Sequence, residues 1–151
     1  MFQLKIPPPV YMLLAAGMMW LLDQFMPISI LFIEPWNSVG FLFMFAAMFT
    51  DGFSLLQFFR MHTSINPLHP EKAQTLVTTG MYQFSRNPMY FGLLLLLVGL
   101  AIFLASLSPF IILPLFIITL TEQQIIPEEI ILEQKFGQDY RDYKQSVRRW
   151  L

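Results

Sequence analysis

The chain reads as an all-α integral membrane protein of about four transmembrane helices with a cytoplasmic amphipathic C-terminal helical tail, and three observations predict this. Of its 151 residues, 56% are hydrophobic and only 13% charged, against about 25% charged in an ordinary soluble domain. The apolar residues gather into four segments near the length that a bilayer requires, about 20 residues each. All nine lysines and arginines fall in three regions that four spans would place on one face of the membrane.

The first apolar segment runs from about Val10 to Met26 and ends around Asp23 and Pro27. It is short unless Ile28 to Ile33 extends it or lies in the interface. With a single preceding lysine, Lys5, and no A-x-A site, it resembles a retained span more than a cleaved signal. Val39 to Phe59 is the second segment, interrupted only by Asp51 and Gly52. Arg60 to Asn87 forms one long polar connection, in which Asn66-Pro67, Pro70 and Gly80 mark turns. Pro88 to Ser106 is the third span, with proline at the first helical position, where a missing N–H is harmless. After a turn at Leu107-Ser108, Pro109 opens the fourth span, which reaches about Ile126. Pro114 predicts a kink near its start and Pro127 its end. Residues 128–151 form the tail, in which Glu129, Leu132, Phe136, Tyr140, Tyr143, Val147 and Trp150 recur at helical steps of three or four and share one face. Glu128 points about 100° away from that face. A break at Gly137 would turn the tail into two short helices folded over the hairpin of spans three and four. The whole chain is one domain.

Orientation follows from the basic residues, since cytoplasmic flanks carry the excess. Lys5 precedes span one. Arg60, Lys72 and Arg86 lie between spans two and three, and Lys135, Arg141, Lys144, Arg148 and Arg149 follow span four. Both termini and the long connection are therefore expected to be cytoplasmic. The formal net charge of −1 and the lack of a long basic run argue against nucleic acid as a partner. There is no cysteine, hence no disulfide or thiolate, and His62 and His69 lack a ligand pattern, so no metal site is expected. No G-x-G fingerprint and no phosphate loop occur.

The hairpin of spans three and four turns between Leu107 and Ser108, and Arg86 and Glu129 lie equally far from that point. They should therefore face each other at the cytoplasmic membrane edge, as a ligand site or as an ion pair that pins the hairpin. Asp51 lies about 12 Å inside span two. A carboxyl at that depth faces a bundle interior or a wet cavity, or serves as a structural group beside Gly52.

Residues 66–92, N-P-L-H-P-E-K-A-Q-T-L-V-T-T-G-M-Y-Q-F-S-R-N-P-M-Y-F-G, resemble the signature of the isoprenylcysteine carboxyl methyltransferase family. The tail is similar to that family's second block: Glu128-Glu129, then Leu132, then F-G-Q-D-Y-R-D-Y-K-Q-S-V from Phe136 to Val147. The two blocks cover about half the chain, in the family's order and spacing. The resemblance implies a membrane methyltransferase that encloses S-adenosylmethionine and releases S-adenosylhomocysteine. Carried over position by position, it nominates Leu76, Val77, Gly80, Tyr82, Arg86, Asn87, Tyr90, Glu128 and Glu129 for the cofactor, with Arg86 and Glu129 also in catalytic roles. Pro88 and Gly92 belong to the same block and can serve helix start and close packing. Carboxylates suit ribose hydroxyls or an ammonium, arginine suits a carboxylate, and aromatic rings can cover adenine or lie near a sulfonium.

The acceptor implied is lipid-associated, prenylated or otherwise, and enters from the bilayer. A carboxyl acceptor of the isoprenylcysteine kind is favoured by the tail block. Asn87 stands where the carboxyl methyltransferases resemble R-H-P, whereas related phospholipid N-methyltransferases look more like N-P-M-Y, so an amine acceptor is the alternative. A carboxylate needs no base at neutral pH, while a lipid ammonium must first lose a proton. A non-catalytic small membrane protein, or more distantly a nicotinamide-dependent sterol reductase, are readings of another kind. Binding of S-adenosylhomocysteine separates them. The residues leave the oligomeric state open.

Overall fold

The computed structural model describes residues 6–61 and 68–151. Lys5, His62 and the turn expected at Asn66-Pro67 lie outside the described residues. Among the described residues there are six α-helices: α1 (Pro8–Phe25), α2 (Gly40–Arg60), α3 (Pro88–Leu104), α4 (Ile112–Leu120), α5 (Ile126–Phe136) and α6 (Gln138–Ser146). Among the described residues there is no strand, only an isolated bridge between Ile30 and Ser106.

The sequence PMYFGLLLLLVGLAIFL gives α3 no polar face, and a helix apolar all round is one that neighbours or lipid must surround. It is the central element, with α2 packed along it and α1 and α4 against its other sides. Two glycines set how closely α2 and α3 approach. A Cβ built on Gly40 would lie 2.3 Å from the Gly99 carbonyl oxygen, and one on Gly99 would lie 2.6 Å from that of Gly40. Backbone touches backbone there, as small residues permit between apolar helices. Ala15, Met19, Leu97, Ala101, Phe116 and Leu120 complete the core on the side of α1 and α4.

Helix α1 starts two residues before the expected Val10, because Pro8 and Pro9 occupy a first turn whose N–H groups need no intrahelical acceptor. The segment Ile28 to Ile33 neither extends α1 nor forms a second helix. It is hydrogen-bonded to the turn after α3, through Leu31 N to Ala105 O (2.7 Å) and Leu107 N to Ser29 O (2.8 Å). Ser108 ties it further, donating to the Met26 carbonyl and accepting from Ile28 N. Helix α3 ends at Leu104 rather than Ser106, since Ala105 takes a left-handed conformation (φ 72°) that stops the helix.

The fourth expected span is corrected at its end. Pro127 does not terminate the helix: a 3₁₀ turn at Ser108–Ile111, α4, a π turn at Thr121–Ile125 and α5 run on without interruption to Phe136. A proline inside an α-helix clashes with the carbonyl four residues back. The wider π turn holds that residue, Gln123, and so admits the ring. Pro114 lies in the first turn of α4, beside the change from 3₁₀ to α geometry.

Two helical stretches, Trp36–Arg60 with 25 residues and Ser108–Phe136 with 29, are long and apolar enough to cross a membrane, and α3 is a shorter apolar helix of 17. Phe41, Phe45, Phe49 and Phe53 on α2 are all exposed, Phe45 by 73%. An apolar stripe of that kind marks a contact surface for lipid or for a protein partner.

Gly137 breaks the tail as expected, at φ 56°, and splits it into α5 and α6. Leu132, Phe136, Tyr140, Tyr143 and Val147 of the stripe turn inward onto Leu76, Val77, Tyr82 and Phe58. Trp150 packs on the other core and donates from Nε1 to Thr121 Oγ1 at 3.2 Å.

Candidate active site

The turn Ser85-Arg86-Asn87 before Pro88 is the corner on which the site is built. A residue that precedes proline is pushed out of the α region, and Asn87 accordingly sits at φ −131°, ψ 56°. Its backbone N–H donates to Ser85 Oγ at 3.1 Å. The corner then binds the end of the tail: Arg86 N donates to Arg148 O (3.0 Å), and Asn87 Nδ2 (3.0 Å) and Ser85 Oγ (3.3 Å) both donate to Arg149 O. A second clamp lies opposite, where the Tyr143 hydroxyl donates to the Tyr82 carbonyl at 2.7 Å. The Tyr82 ring stands edge-on to Phe58 at 5.5 Å. The Gln57 amide fixes the loop before it, donating to Thr79 O (2.9 Å) and accepting from Met81 N (3.2 Å).

Between these clamps lies a cavity of about 500 Å³, within the usual range for small-molecule sites. Of the residues nominated from sequence, Leu76, Val77, Tyr82, Arg86, Asn87, Tyr90, Glu128 and Glu129 line it. Gly80 does not. It turns the loop at φ 61°, and a Cβ there would overlap the Gln57 amide.

Arg86 and Glu129 meet as their equal distance from the hairpin turn predicts, Nη2 to Oε1 at 3.2 Å, with side chains 8% and 6% exposed. Burying two charges is expensive unless they are paired and hydrogen-bonded. Glu129 meets that requirement with a second arginine, accepting from Arg149 Nε (3.0 Å) and Nη2 (2.9 Å). This fork holds the Arg149 guanidinium firmly charged. Arg86, by contrast, keeps Nε and Nη1 buried without a protein partner. Glu128 diverges from Glu129 by the helical step and reaches α3, where it accepts from the Tyr90 hydroxyl at 2.7 Å. Both glutamates nevertheless border the cavity, because it passes between the two directions. Burial, followed by the negative field of Glu128, pushes the Tyr82 phenol up, so it stays neutral.

Sequence reasoning placed Leu132, Tyr140 and Tyr143 on the inward stripe without assigning them to the site, yet they line it. It read Arg149 only as a topology signal, and no spacing rule marks it as the partner of Glu129. Asp51, weighed between cavity and structural roles, lines the cavity above Gly92, whose Cβ would lie 1.9 Å from Asp51 Oδ1. Pro7, Pro8 and Pro9 close another side. His69 lies outside the wall, its Nδ1 against Glu71 Oε1 at 2.9 Å.

The donor set fits a cofactor bearing a carboxylate, an ammonium, ribose hydroxyls and a flat base. Arg86 sets its guanidinium in the wall with two donor atoms that no protein group meets, Glu128 adds a carboxylate, and aromatic and aliphatic walls surround both.

The family model described as phospholipid methyltransferase matches residues 36–139, and the chain belongs to this family. The resemblance to isoprenylcysteine carboxyl methyltransferases is carried by curated relatives. A probable protein-S-isoprenylcysteine O-methyltransferase of Oryza sativa subsp. indica is 32% identical over 92 residues, 61% of this chain and 48% of that protein. Protein-S-isoprenylcysteine O-methyltransferase A of Arabidopsis thaliana is 31% identical over 109 residues, 72% of this chain and 52% of that one. An uncharacterised protein of Haemophilus influenzae is 44% identical over 63 residues, 42% of this chain and all of its own length. The chain spans about half the length of the two plant relatives. No solved structure matches it significantly.

Proposed function

We propose that this protein transfers a methyl group from S-adenosylmethionine to a lipid-associated acceptor at the cytoplasmic face of a membrane that it crosses four times. The carrying observation is the buried Arg86–Glu129 pair, which joins the two family blocks across the cavity and leaves two Arg86 donors unpartnered. Arg86 then holds the cofactor's carboxylate and Glu128 its ammonium or ribose hydroxyls. Glu129, neutralised by Arg86 and Arg149, keeps the guanidinium in place. Leu76, Val77 and the rings of Tyr82, Tyr140 and Tyr143 enclose the base and exclude water. The cofactor supplies an electrophilic methyl group. The chain supplies alignment and a dry wall.

The acceptor enters from the bilayer. Among the described charged residues lining the cavity, Asp51, Glu128 and Glu129 stand against one cation, Arg86, which Glu129 already engages. That balance favours a cationic amine over a carboxylate, and phospholipid N-methylation is the reading the geometry supports best. Carboxyl O-methylation of an isoprenylcysteine-like acceptor is the second reading, supported by the printed names of the plant relatives and by the tail block.

Calorimetry with S-adenosylhomocysteine in detergent tests the cofactor. Binding is expected, and its absence from folded protein at about 1 mM ligand overturns the methyltransferase reading in favour of a non-catalytic membrane protein. Mild alkali then sorts the product of a labelled methyl donor, since it releases methanol from a methyl ester and leaves an N-methyl group in place.

A further inference from the structure

Asp51 has a setting that the cofactor half of the cavity does not explain. It sits on the α2 wall together with Gly52 and Leu55, facing Met89, Tyr90 and Leu93 of α3. One of its carboxylate oxygens, Oδ1, is buried with no hydrogen-bond partner in the protein. The space for it exists only because residue 92 is glycine. Burying a carboxyl with an unmatched oxygen is unfavourable unless something else meets it. Each other carboxyl on the cavity wall is matched: Glu129 by Arg86 and Arg149, Glu128 by Tyr90. Asp51 as a residue nevertheless lines the cavity. Next to Asp51 the wall turns apolar, through Leu55, Phe58 and Leu93, and Pro7, Pro8 and Pro9 join it from the start of α1.

We propose that Asp51 is the acceptor-side catalytic residue: its carboxylate receives the ammonium group of a lipid amine and removes one proton from it. The proposal rests on the methyltransferase reading and names a residue for its second substrate. In the step, an N–H bond of the ammonium breaks and an O–H bond forms on Asp51, leaving the nitrogen with a free pair. That pair forms the new N–CH₃ bond while the S–CH₃ bond of the sulfonium donor breaks and its electrons remain on sulfur. Asp51 returns its proton to water. The apolar wall beside it takes the lipid's chain. Among the described residues, the ionisable groups on the remaining walls are Tyr90 and Arg86 from α3 and its preceding turn, Tyr82 from the loop, Glu128 and Glu129 from α5, and Tyr140 and Tyr143 from α6. None of them is hydrogen-bonded to Asp51 Oδ1.

The test uses the whole chain in detergent–lipid micelles, with Asp51→Asn and Asp51→Ala, and two readouts. Binding is measured first, without methyl donor, by titrating phosphatidylethanolamine and, separately, phosphatidic acid as an amine-free control. Wild type should prefer phosphatidylethanolamine, and both variants should lose that preference at least tenfold while binding S-adenosylhomocysteine within about threefold of wild type. Single-turnover methylation of phosphatidylethanolamine should fall at least a hundredfold in both. Formate should restore part of the rate in Asp51→Ala, where a cavity replaces the carboxyl, and none in Asp51→Asn. An unchanged amine preference in both variants, transfer within threefold of wild type, or label recovered only as alkali-labile ester overturns the role of Asp51 and leaves the methyltransferase reading intact. Loss of S-adenosylhomocysteine binding in wild type overturns that reading itself. A variant that does not fold fails the S-adenosylhomocysteine control, and the other variant then decides.

Discussion

The guanidinium of Arg149 forks onto Glu129, Nε to Oε1 at 3.0 Å and Nη2 to Oε2 at 2.9 Å, and thereby binds the end of the tail to the start of α5. With that fork removed, Glu129 has only Arg86 as a cationic partner and draws on the two donors that Arg86 now keeps unpartnered. Arg149→Ala should therefore weaken S-adenosylhomocysteine binding about tenfold, or about 1.4 kcal/mol. Arg149→Lys should recover only a fraction, because a point charge cannot reproduce a two-point fork. Calorimetry on the three proteins checks both.

Breaking the buried pair at Glu129 strands two arginines, whereas breaking it at Arg86 strands none, since Arg149 still serves Glu129. Both Arg86→Ala and Glu129→Ala should abolish methyl transfer. Removing one partner of a buried ion pair costs about 3–5 kcal/mol, and Glu129→Ala should be the more destabilising. The double variant should lose less than the two single losses added together. Denaturant titration in mixed micelles, followed by circular dichroism, provides the cycle.

Gly92→Ala puts a methyl group where Asp51 Oδ1 now rests, and the obstructing atom is the end of a short, rotatable side chain. The helix should form and the protein should fold, with Asp51 turned out of its niche. Amine methylation is expected to fall at least tenfold with S-adenosylhomocysteine affinity nearly unchanged. A normal rate would show that the position of the carboxyl is immaterial.

Gly99→Ala meets a harder obstacle, because the atom 2.6 Å away is the Gly40 carbonyl oxygen on the α2 backbone. Helices α2 and α3 must separate. Overpacking of this kind costs about 1–3 kcal/mol, and the thermal midpoint in detergent should drop, while Gly17→Ala, inside α1 with nothing near its Cβ, should hold or raise it.

The Tyr143 hydroxyl has its proton held by burial, which pushes its pKa up, with Arg86 pulling the other way. In the unfolded chain a tyrosine titrates near 10. The folded state therefore binds its proton more tightly, and the stability this provides is complete below about pH 10 and is lost as pH rises beyond it. Melting midpoints should be flat in this respect from neutral pH to about 10 and then decline. Tyr143→Phe should lower the midpoint at neutral pH, by the loss of a hydrogen bond worth about 1 kcal/mol, and flatten the alkaline decline.

Much of this arrangement was legible in the residues because it is set by intervals along helices. The meeting of Arg86 and Glu129 follows from two helices sharing one turn, and helical period marks the inward positions within each tail helix, Leu132 and Phe136 in α5 and Tyr140 and Tyr143 in α6. Gly137 announced the break in the tail because a residue there has to adopt positive φ. Contacts made by segments with no period were hidden. The ties of Ser108 to Met26 and Ile28, and of Asn87 to the Arg149 carbonyl, depend on irregular backbone that pattern cannot place. Pro127 misled because its rule assumes α geometry, and the π turn before it suspends that assumption.

That π turn also governs which changes of length the gene can tolerate. A π turn holds one more residue than the α turn it replaces, so the helices on either side keep the phase they would have without the surplus. Losing a single codon within Thr121–Ile125 should straighten the segment and leave Glu129 directed at Arg86, with Pro127 then meeting the obstruction that the wider turn relieves. Losing one within Ile130–Phe136 has no such reserve. It would swing Tyr140 and Tyr143 by about 100° relative to Glu129, opening the cavity while every motif residue remained in the sequence.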